Sequence, residues 1–245
     1  MTAERGSRYL LQVQKTVGRA INRYGLIAAG DRIAVGVSGG KDSVVLLETL
    51  AVRRRWIPIH YEIHALHINV KNITAELDRD YYEKLCADLD ITFHHRSIAI
   101  DLDRDPSKTV CFVCAWHRRK ELFTLVKELR CGRLALGHHM DDALETLLLN
   151  MTFNGSISSM PPKLSMFGGE FDIIRPLILL KEKEVERYAR IREFPVPRSQ
   201  CPYGDTTRRA DMKRLIGELA RMNKKAKNNI FRAMSNIHGD YLPPE

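Results

Sequence analysis

The sequence lacks any long apolar run. None of its 245 residues belongs to an uninterrupted hydrophobic stretch of 18 or more, which is the length that a membrane-spanning helix requires. The segment MTAERGSRYLLQVQK at the start also lacks the apolar core of a secretory signal. These two absences argue against a helical membrane protein and lead us to expect a soluble, cytoplasmic protein with no membrane partner.

Cysteine is scarce, with five residues in the chain. So few cysteines, without a secretion signal, argue against a framework of disulfide bonds. Cys111 and Cys114 form a C-x-x-C pair, a spacing typical of redox chemistry or metal binding in a cytosolic protein. Cys201 lies in a distant proline-flanked loop. We expect Cys86 and Cys131 to be small buried residues.

Acidic residues are outnumbered in one part of the chain. Residues 181–232 carry 15 Lys/Arg against 7 Asp/Glu, whereas the other residues are nearly balanced, at 24 against 23. This segment accounts for most of the formal net charge of +9. A basic C-terminal segment on a neutral body favours a polyanionic partner bound at that end. A solvated basic helix surface is the alternative interpretation.

Short apolar segments alternate with helical patterns along the chain. The patterns predict helices at 8–24, 43–55, 74–90, after Cys114, at 140–151 and at 181–193. They predict strands at 32–37, 64–69, 92–100, 133–137 and within 171–178. The segment 154–170 is predicted to be a loop. This alternation is typical of an α/β fold whose parallel sheet is covered by helices on both faces. We expect an N-terminal helical segment at 1–30, an α/β domain at 31–180, and a small basic helical C-terminal region at 181–245.

The loop after the first predicted strand reads SGGKDS and opens a helix. It is not a Walker A loop, because Val35 stands where that motif has its first glycine and Asp42 follows the lysine. Two glycines let the backbone approach an anion closely, and the positive end of the helix points to the same place. The lysine adds a mobile cation, and the serine hydroxyls can bind phosphate oxygens. The predicted phosphate-binding residues are Ser38, Gly39, Gly40, Lys41, Asp42 and Ser43.

A second polar segment, GHHMDD at 137–142, follows the RLAL strand. The carboxyl ends of parallel strands meet at one edge of a sheet, so both loops are expected there. Asp141 is a candidate for holding Mg²⁺ or orienting a nucleotide, and His138 for contacting a phosphate. Asp141 and Asp142 are alternatively ordinary carboxylates at a helix N-terminus.

Spacing alone leaves three interpretations open for Cys111, Cys114 and Cys201. These are a structural zinc site with His117 as a fourth ligand, a thiol–persulfide shuttle, and an iron–sulfur cluster in which one iron has no protein ligand. The helix after the pair favours ionised thiolates. On the cysteines alone, zinc is the commonest of the three.

The hexapeptide resembles the PP-loop of the ATP pyrophosphatases. Together with CFVCAWHRR, LALGHHMDDALETLLLNM, MPPKL, IRPL and the Cys201 loop, it is similar to the TtcA family of tRNA-cytidine 2-sulfurtransferases. This resemblance covers roughly residues 8–238 and is most specific from Gly137 to Leu164. It implies a Rossmann-like PP-loop adenine-nucleotide-binding fold, cleavage of ATP between the α- and β-phosphates, and Mg²⁺. It also implies a [4Fe–4S] cluster on Cys111, Cys114 and Cys201, with cytidine 32 of a tRNA as the substrate.

The hypothesis that follows from this resemblance assigns further roles. His67 is expected near the adenosine, and Gly137 and His138 are expected to contact ATP. The expected catalytic residues are Lys41, Asp42 and Asp141. The residues expected to contact tRNA are Arg118, Arg119, Arg208 and Arg209. A sulfur donor of the cysteine-desulfurase type and a homodimer are the further partners expected.

Two departures bear on the assignment. The loop PRSQCPYGDTTRR lacks the Cys-Gly-Ser-Gln string common in the family, and Cys201 is the cysteine that it offers. Five cysteines are too few for the zinc-binding ends of the related uridine-thiolating branch, which places the chain nearer the cytidine branch. The alternatives are thiolation of a tRNA uridine, an amidating synthetase with the same loop, and a zinc-bearing RNA-binding module without catalysis.

Overall fold

The structure is a computed structural model that describes residues 3–71, 73, 77–101, 109–195 and 208–241. Helices and strands alternate through most of it. In chain order the elements are α1 (Ala3–Tyr24), β1 (Arg32–Gly36), α2 (Lys41–Arg54), β2 (Glu62–Val70), α3 (Arg79–Asp88), β3 (Thr92–Ile98), α4 (Val110–Glu128), β4 (Arg133–Ala135), α5 (Met140–Phe153), β5 (Lys163–Met166), β6 (Phe171–Ile174), α6 (Glu182–Ile191), α7 (Arg208–Met222) and α8 (Ala226–Ala233).

The strands form one sheet in the order β3-β2-β1-β4-β6-β5. Neighbouring strands are parallel except β5 and β6, which are antiparallel. The strand order reverses between β1 and β4, because β2 and β3 lie on one side of this pair and β6 and β5 on the other. In open parallel sheets, ligands bind at the carboxyl ends of the strands at such a reversal. The predicted α/β fold with a mostly parallel sheet is confirmed.

Both faces of the central strands are buried. Ile33 and Val35 pack into the larger core, with residues of α1, α2, α3 and α6. Ala34 and Leu66 point to the opposite face and pack with Leu125 of α4. Side chains that alternate between two covered faces make such strands read as continuous apolar runs, and this is why the strands could be predicted from the sequence.

The last two helices pack against α5. Met140 and Leu144 of α5 contact Ile216 of α7, and Phe231 of α8 packs against the same cluster. In contrast, α6 contributes Val185 to the larger core under the sheet. The basic C-terminal helices therefore lie beside the helix that follows β4. The boundaries at 30 and 180 stay a prediction.

Two predictions about local structure were wrong. The helix of the C-x-x-C segment begins at Val110, with Thr109 as its N-cap, and not after Cys114. The β-branched and aromatic residues of that turn have low helix propensity, which burial of Cys114 overrides. The predicted loop at 154–170 contains β5, a four-residue edge strand directly after a pair of prolines, where prolines are tolerated. No described helix is long and apolar enough to cross a membrane.

Candidate active site

The SGGKDS loop connects β1 to α2 and closes on itself through hydrogen bonds. Gly39 has a φ of +87°, a region that favours glycine. The Ser43 hydroxyl donates to the Gly40 carbonyl at 2.8 Å and accepts from the Ser38 N–H at 3.2 Å. The N-cap of α2 is Gly40, which offers no side-chain acceptor to the first amides of the helix. The Ser43 N–H already donates to the Gly40 carbonyl at 3.2 Å, so the N–H groups of Lys41 and Asp42 are the ones available to an anion at the positive end of α2.

Tyr82 of α3 supports this loop from the protein interior. Its hydroxyl donates to the Gly39 carbonyl at 3.1 Å, and the side chain is 2% exposed. A Cβ atom at Gly39 would lie 2.8 Å from Cδ1 of Leu77, so the loop is also closely packed. The role of Tyr82 could not be predicted from the sequence, because a tyrosine 43 residues from its partner belongs to no motif.

The loop between β4 and α5 touches the start of α2. A Cβ atom at Gly137 would lie 2.9 Å from the Asp42 carbonyl carbon and 3.1 Å from the Ser43 nitrogen. Both neighbours are backbone atoms, which cannot swing aside as a side chain can. The glycine therefore permits the two predicted loops to meet at the reversal of strand order, as the sequence indicated.

Lys41 and Asp42 carry the charges of the loop. Nζ of Lys41 lies 3.4 Å from Oδ2 of Asp42 and 3.7 Å from Oε1 of Glu182. Oδ1 of Asp42 is buried without a hydrogen-bond partner in the described part of the chain, and Nε2 of His139 is 3.9 Å away. Burial raises the pKa of Asp42 despite the nearby lysine. A buried carboxylate oxygen that lacks a described partner, beside a phosphate loop, fits Mg²⁺, which takes one or two carboxylates plus phosphate oxygens and water.

Asp141 and Asp142 already have protein partners. Oδ2 of Asp141 accepts from the Glu182 N–H at 2.8 Å, and Oδ1 pairs with Nζ of Lys227. Burial acts to raise the pKa of Asp141, but these hydrogen bonds outweigh it and the pKa is lowered. Asp142 caps α5 by accepting from the His139 N–H at 2.9 Å. The geometry agrees with the helix-terminus interpretation, and a catalytic role for Asp141 stays a prediction.

Two histidines predicted to contact ATP are neutral: His67, which lies within β2, and His138, which lies in the loop after β4. Nδ1 of His67 donates to the Val37 carbonyl at 2.8 Å, so its Nε2 is an acceptor, and it has no partner among the described residues. Burial lowers the pKa of His67 and of His138 to about 4. At neutral pH each can serve a nucleotide through hydrogen bonds rather than through charge.

A cavity of about 560 Å³ opens beside the phosphate loop, between the sheet and α4. Ser38 lines it, so the cavity is continuous with the loop. Its volume lies within the usual range for small-molecule sites. The described residues that line it include no carboxylate but four arginines, Arg118, Arg119, Arg175 and Arg209. The cavity therefore favours an anionic ligand.

The four arginines predicted to contact tRNA have different surroundings. Arg118 and Arg119 project from α4 at the cavity, and no described carboxylate pairs with either. Arg209 is held at 2.7 and 3.2 Å by two carboxylates of α5. The guanidinium of Arg208 lies 4.4 Å from the ring centroid of Phe153. Three of the four, Arg118, Arg119 and Arg209, therefore line the cavity, and Arg209 is neutralised there by its carboxylates. Arg208 is not among the described residues that line it.

Cys111 and Cys114 lie in the first turn of α4, three residues apart and therefore adjacent on one helix face. Cys111 is exposed, and Cys114 packs against Val70 and Ile100. Cys201 lies outside the described residues, which contain no cluster of three metal-ligating side chains. The pair fits part of a thiolate metal centre, and its third ligand stays a prediction.

The other cysteines are structural. Cys86 and Cys131 are 1% and 3% exposed, and burial raises their pKa values to about 12 and about 11. Neutral buried thiols are poor ligands and nucleophiles, so the prediction for these two is confirmed. The ring of His117, the proposed fourth zinc ligand, lies edge-on to the ring of Trp116, with 4.8 Å between the ring centroids.

Comparison with known proteins places the chain in a family. Residues 10–198 match the model of the PP-loop domain. The tRNA-cytidine(32) 2-sulfurtransferase of Geobacter sulfurreducens is 39% identical over 237 residues, which are 94% of this chain and 91% of that protein. The protein of the same name from Psychromonas ingrahamii is 38% identical over 94% of this chain and 75% of that one.

A solved structure shares the fold. It is that of the U34-tRNA thiolase NcsA from Methanococcus maripaludis with its [4Fe-4S] cluster, which superposes with a TM-score of 0.73. The alignment covers 96% of this chain and 81% of that one at 23% identity. With the PP-loop at the strand reversal and this degree of identity to named relatives, the chain belongs to the TtcA family of tRNA-cytidine(32) 2-sulfurtransferases, within the PP-loop superfamily.

Proposed function

We propose that this protein is an ATP-dependent tRNA sulfurtransferase that replaces the C2 oxygen of cytidine 32 with sulfur. The observation that carries the proposal is the 39% identity to enzymes of that name along 94% of the chain, which includes both loops of the site. The arginine-lined cavity beside the phosphate loop supports an anionic nucleotide as ligand.

The first step is adenylation of the base. The C2 oxygen attacks the α-phosphorus of ATP, a new P–O bond forms, and pyrophosphate leaves with the electron pair of the broken bond. The amides at the start of α2 and the ammonium of Lys41 stabilise the charge that develops on pyrophosphate. Oδ1 of Asp42, which has no partner among the described residues, would hold Mg²⁺ against the phosphates. Gly39, Gly40, Ser38, Ser43 and Gly137 shape the loop, and His67 and His138 hydrogen-bond the nucleotide.

The second step forms a C2–S bond and releases AMP, which carries away the former C2 oxygen. Adenylation is needed because a ring carbonyl oxygen is otherwise a poor leaving group. Cys111, Cys114 and Cys201 would hold a [4Fe–4S] cluster, and the first two lie three residues apart at the start of α4. When bound, such a cluster supplies sulfur on the iron that no cysteine ligates. A cysteine-desulfurase-type protein would replenish that sulfur.

Recognition of tRNA is assigned to the cationic surfaces. Arg118 and Arg119 flank the cavity, and Arg208 and Arg209 begin the basic helices of the C-terminal region at 181–245. A base in a single-stranded loop can leave its stack at low cost and enter a pocket. The α/β domain at 31–180 would bind ATP, and 1–30 would brace it. We further propose a cytoplasmic protein that forms homodimers.

Mass spectrometry of tRNA nucleosides tests the function. Cells that lack the gene should lose 2-thiocytidine, and the wild-type gene, but not one encoding D42N, should restore it. Loss of 2-thiouridine instead would show that the substrate is a tRNA uridine, as in the uridine-thiolating branch. Unchanged thionucleosides would refute thiolation and leave the amidating synthetase. Iron and acid-labile sulfide after anaerobic purification should accompany the first result, whereas zinc alone would point to a binding module.

A further inference from the structure

Arg175 is a buried cation at the floor of the cavity. It directly follows β6, it is 6% exposed, and it lines the cavity together with His138. Its Nη1 donates to the Pro161 carbonyl at 2.5 Å, and its Nε donates to Nδ1 of His138 at 3.3 Å. Both bonds are to neutral groups, so the guanidinium is fixed in place without being neutralised.

No carboxylate forms an ion pair with Arg175 in the part of the chain that the structure describes. Burial lowers the pKa of Arg175, and the nearby charge of Asp142 offsets only part of that effect. The remaining nitrogen, Nη2, has no described protein acceptor. Buried charges in proteins are normally paired, because leaving one uncompensated is costly. Arg175 is therefore an exception that calls for a partner outside the protein.

Arg133 offers the internal contrast. Arg133 is the first residue of β4 and so lies at the amino edge of the sheet, whereas Arg175 lies at the carboxyl edge. The Nε of Arg133 is 3.2 Å from Oδ2 of Asp31. Its Nη1 pairs with Asp172 of β6. The sheet thus neutralises Arg133 at its amino edge with two carboxylates. Among the described residues, it supplies no carboxylate partner to Arg175 at its carboxyl edge.

The bond from Arg175 also fixes the proton of His138. Because Nδ1 of His138 accepts the hydrogen bond, the neutral ring carries its proton on Nε2. That nitrogen has no described protein partner, and the ring lines the same cavity. The guanidinium and the imidazole therefore present two N–H donors beside each other, in a cavity whose described lining contains no carboxylate.

We propose that Arg175 and His138 form a phosphate-binding site in the cavity, separate from the PP-loop. A planar guanidinium suits the oxygens of a phosphate, and the imidazole adds a neutral donor. The phosphate belongs either to ATP or to the backbone of the target nucleotide, and this choice of sources rests on the proposed function. The site would fix one reacting partner relative to the other.

The test compares R175M, R175K and the control R133M in the full-length protein. Calorimetric titrations use a non-hydrolysable ATP analogue, pyrophosphate and an unmodified anticodon stem–loop. We expect R175M to weaken binding of one of these about 10- to 100-fold, as is typical of charge-assisted hydrogen bonds, and R175K to recover part of it. R133M should leave all three affinities unchanged. Weakening of the ATP analogue or pyrophosphate identifies ATP as the source, and weakening of the stem–loop alone identifies the tRNA.

Thermal unfolding without ligand supplies a second readout. R175M should unfold at the same temperature as the wild type or higher, since it removes an uncompensated buried charge. R133M should unfold at a lower temperature, since it strands two carboxylates. Unchanged affinities for all three ligands, or a lower unfolding temperature with unchanged ligand-induced shifts, would overturn the proposal. Failure of the nucleoside test alone would refute thiolation while leaving phosphate binding at Arg175 intact.

Discussion

The contact at Gly137 predicts that a single methyl group will separate the two loops of the site. In G137A the new Cβ would meet the carbonyl carbon, carbonyl oxygen and amide nitrogen of the adjoining backbone at 2.9, 3.0 and 3.1 Å. Ordinary van der Waals contact begins near 3.4 Å, so the loops must move apart by a few tenths of an ångström. Overpacking of this kind costs about 1–3 kcal/mol. If the strain falls on the phosphate loop, the Kd for ATP rises about 5- to 150-fold.

Isothermal titration with a non-hydrolysable ATP analogue and urea unfolding measure the two parts of this effect. G132A is the matched control, because Gly132 lies at the other end of β4 and a Cβ there meets nothing within 4 Å. We expect G132A to bind the analogue like the wild type. A folded G137A protein with wild-type affinity for the analogue would refute the claim that this contact shapes the ATP site.

Three further predictions concern side chains. Y82F removes the donor to the Gly39 carbonyl, so we expect about 1 kcal/mol weaker ATP binding in calorimetry, with little change in the turnover rate of the saturated enzyme. D42N should abolish the Mg²⁺–ATP thermal shift. The raised pKa of Asp42 means that the folded state binds this proton more tightly than the unfolded state does. Wild-type stability therefore falls as the pH rises from the unfolded pKa of 3.8 through the higher folded pKa. D42N should be more stable than the wild type only above that folded pKa. D141N should lose about 3 kcal/mol in denaturant unfolding at pH 7, because it strands Lys227. Since the pKa of Asp141 is lowered, this loss of stability should vanish as the pH falls through the folded pKa. A D141N protein that is as stable as the wild type but has no turnover would instead establish a catalytic role for Asp141.

The sheet could be predicted because its strands are buried on both faces and therefore read as apolar runs. The edge strand of the sheet and the start of α4 could not be predicted in this way. β5 has only four residues, and the first three are exposed. The alternation of polar and apolar residues in KLSM is too short to distinguish a strand from a loop, and the pairing with β6 establishes the strand. The first turn of α4 reads as a poor helix, and the capping hydrogen bond from the Phe112 N–H to Thr109 and the burial of Cys114 stabilise it.

In the candidate site, the sequence predicted those residues whose roles depend on their immediate neighbours in the chain. The residues of SGGKDS and the position of GHHMDD follow from a strand, a turn and a helix start in sequence. Tyr82 and Arg175 act on partners 43 and 37 residues away, and no spacing rule encodes such a meeting. The same limit explains Asp141, since its partner Lys227 is 86 residues distant and an aspartate at a helix start reads the same with or without it.

The surplus of positive charge acquires a meaning once each arginine is placed. Arg133 at the amino edge and Arg209 beside α5 each have two carboxylate partners, so neither contributes a net field to the cavity. Arg118, Arg119 and Arg175 lack such partners in the described structure and face the same space. A fold selected only for stability would gain by supplying a carboxylate to the buried guanidinium, because an uncompensated buried charge destabilises the unliganded protein. Its absence at the carboxyl edge, beside the PP-loop, indicates that the ligand supplies the negative charge.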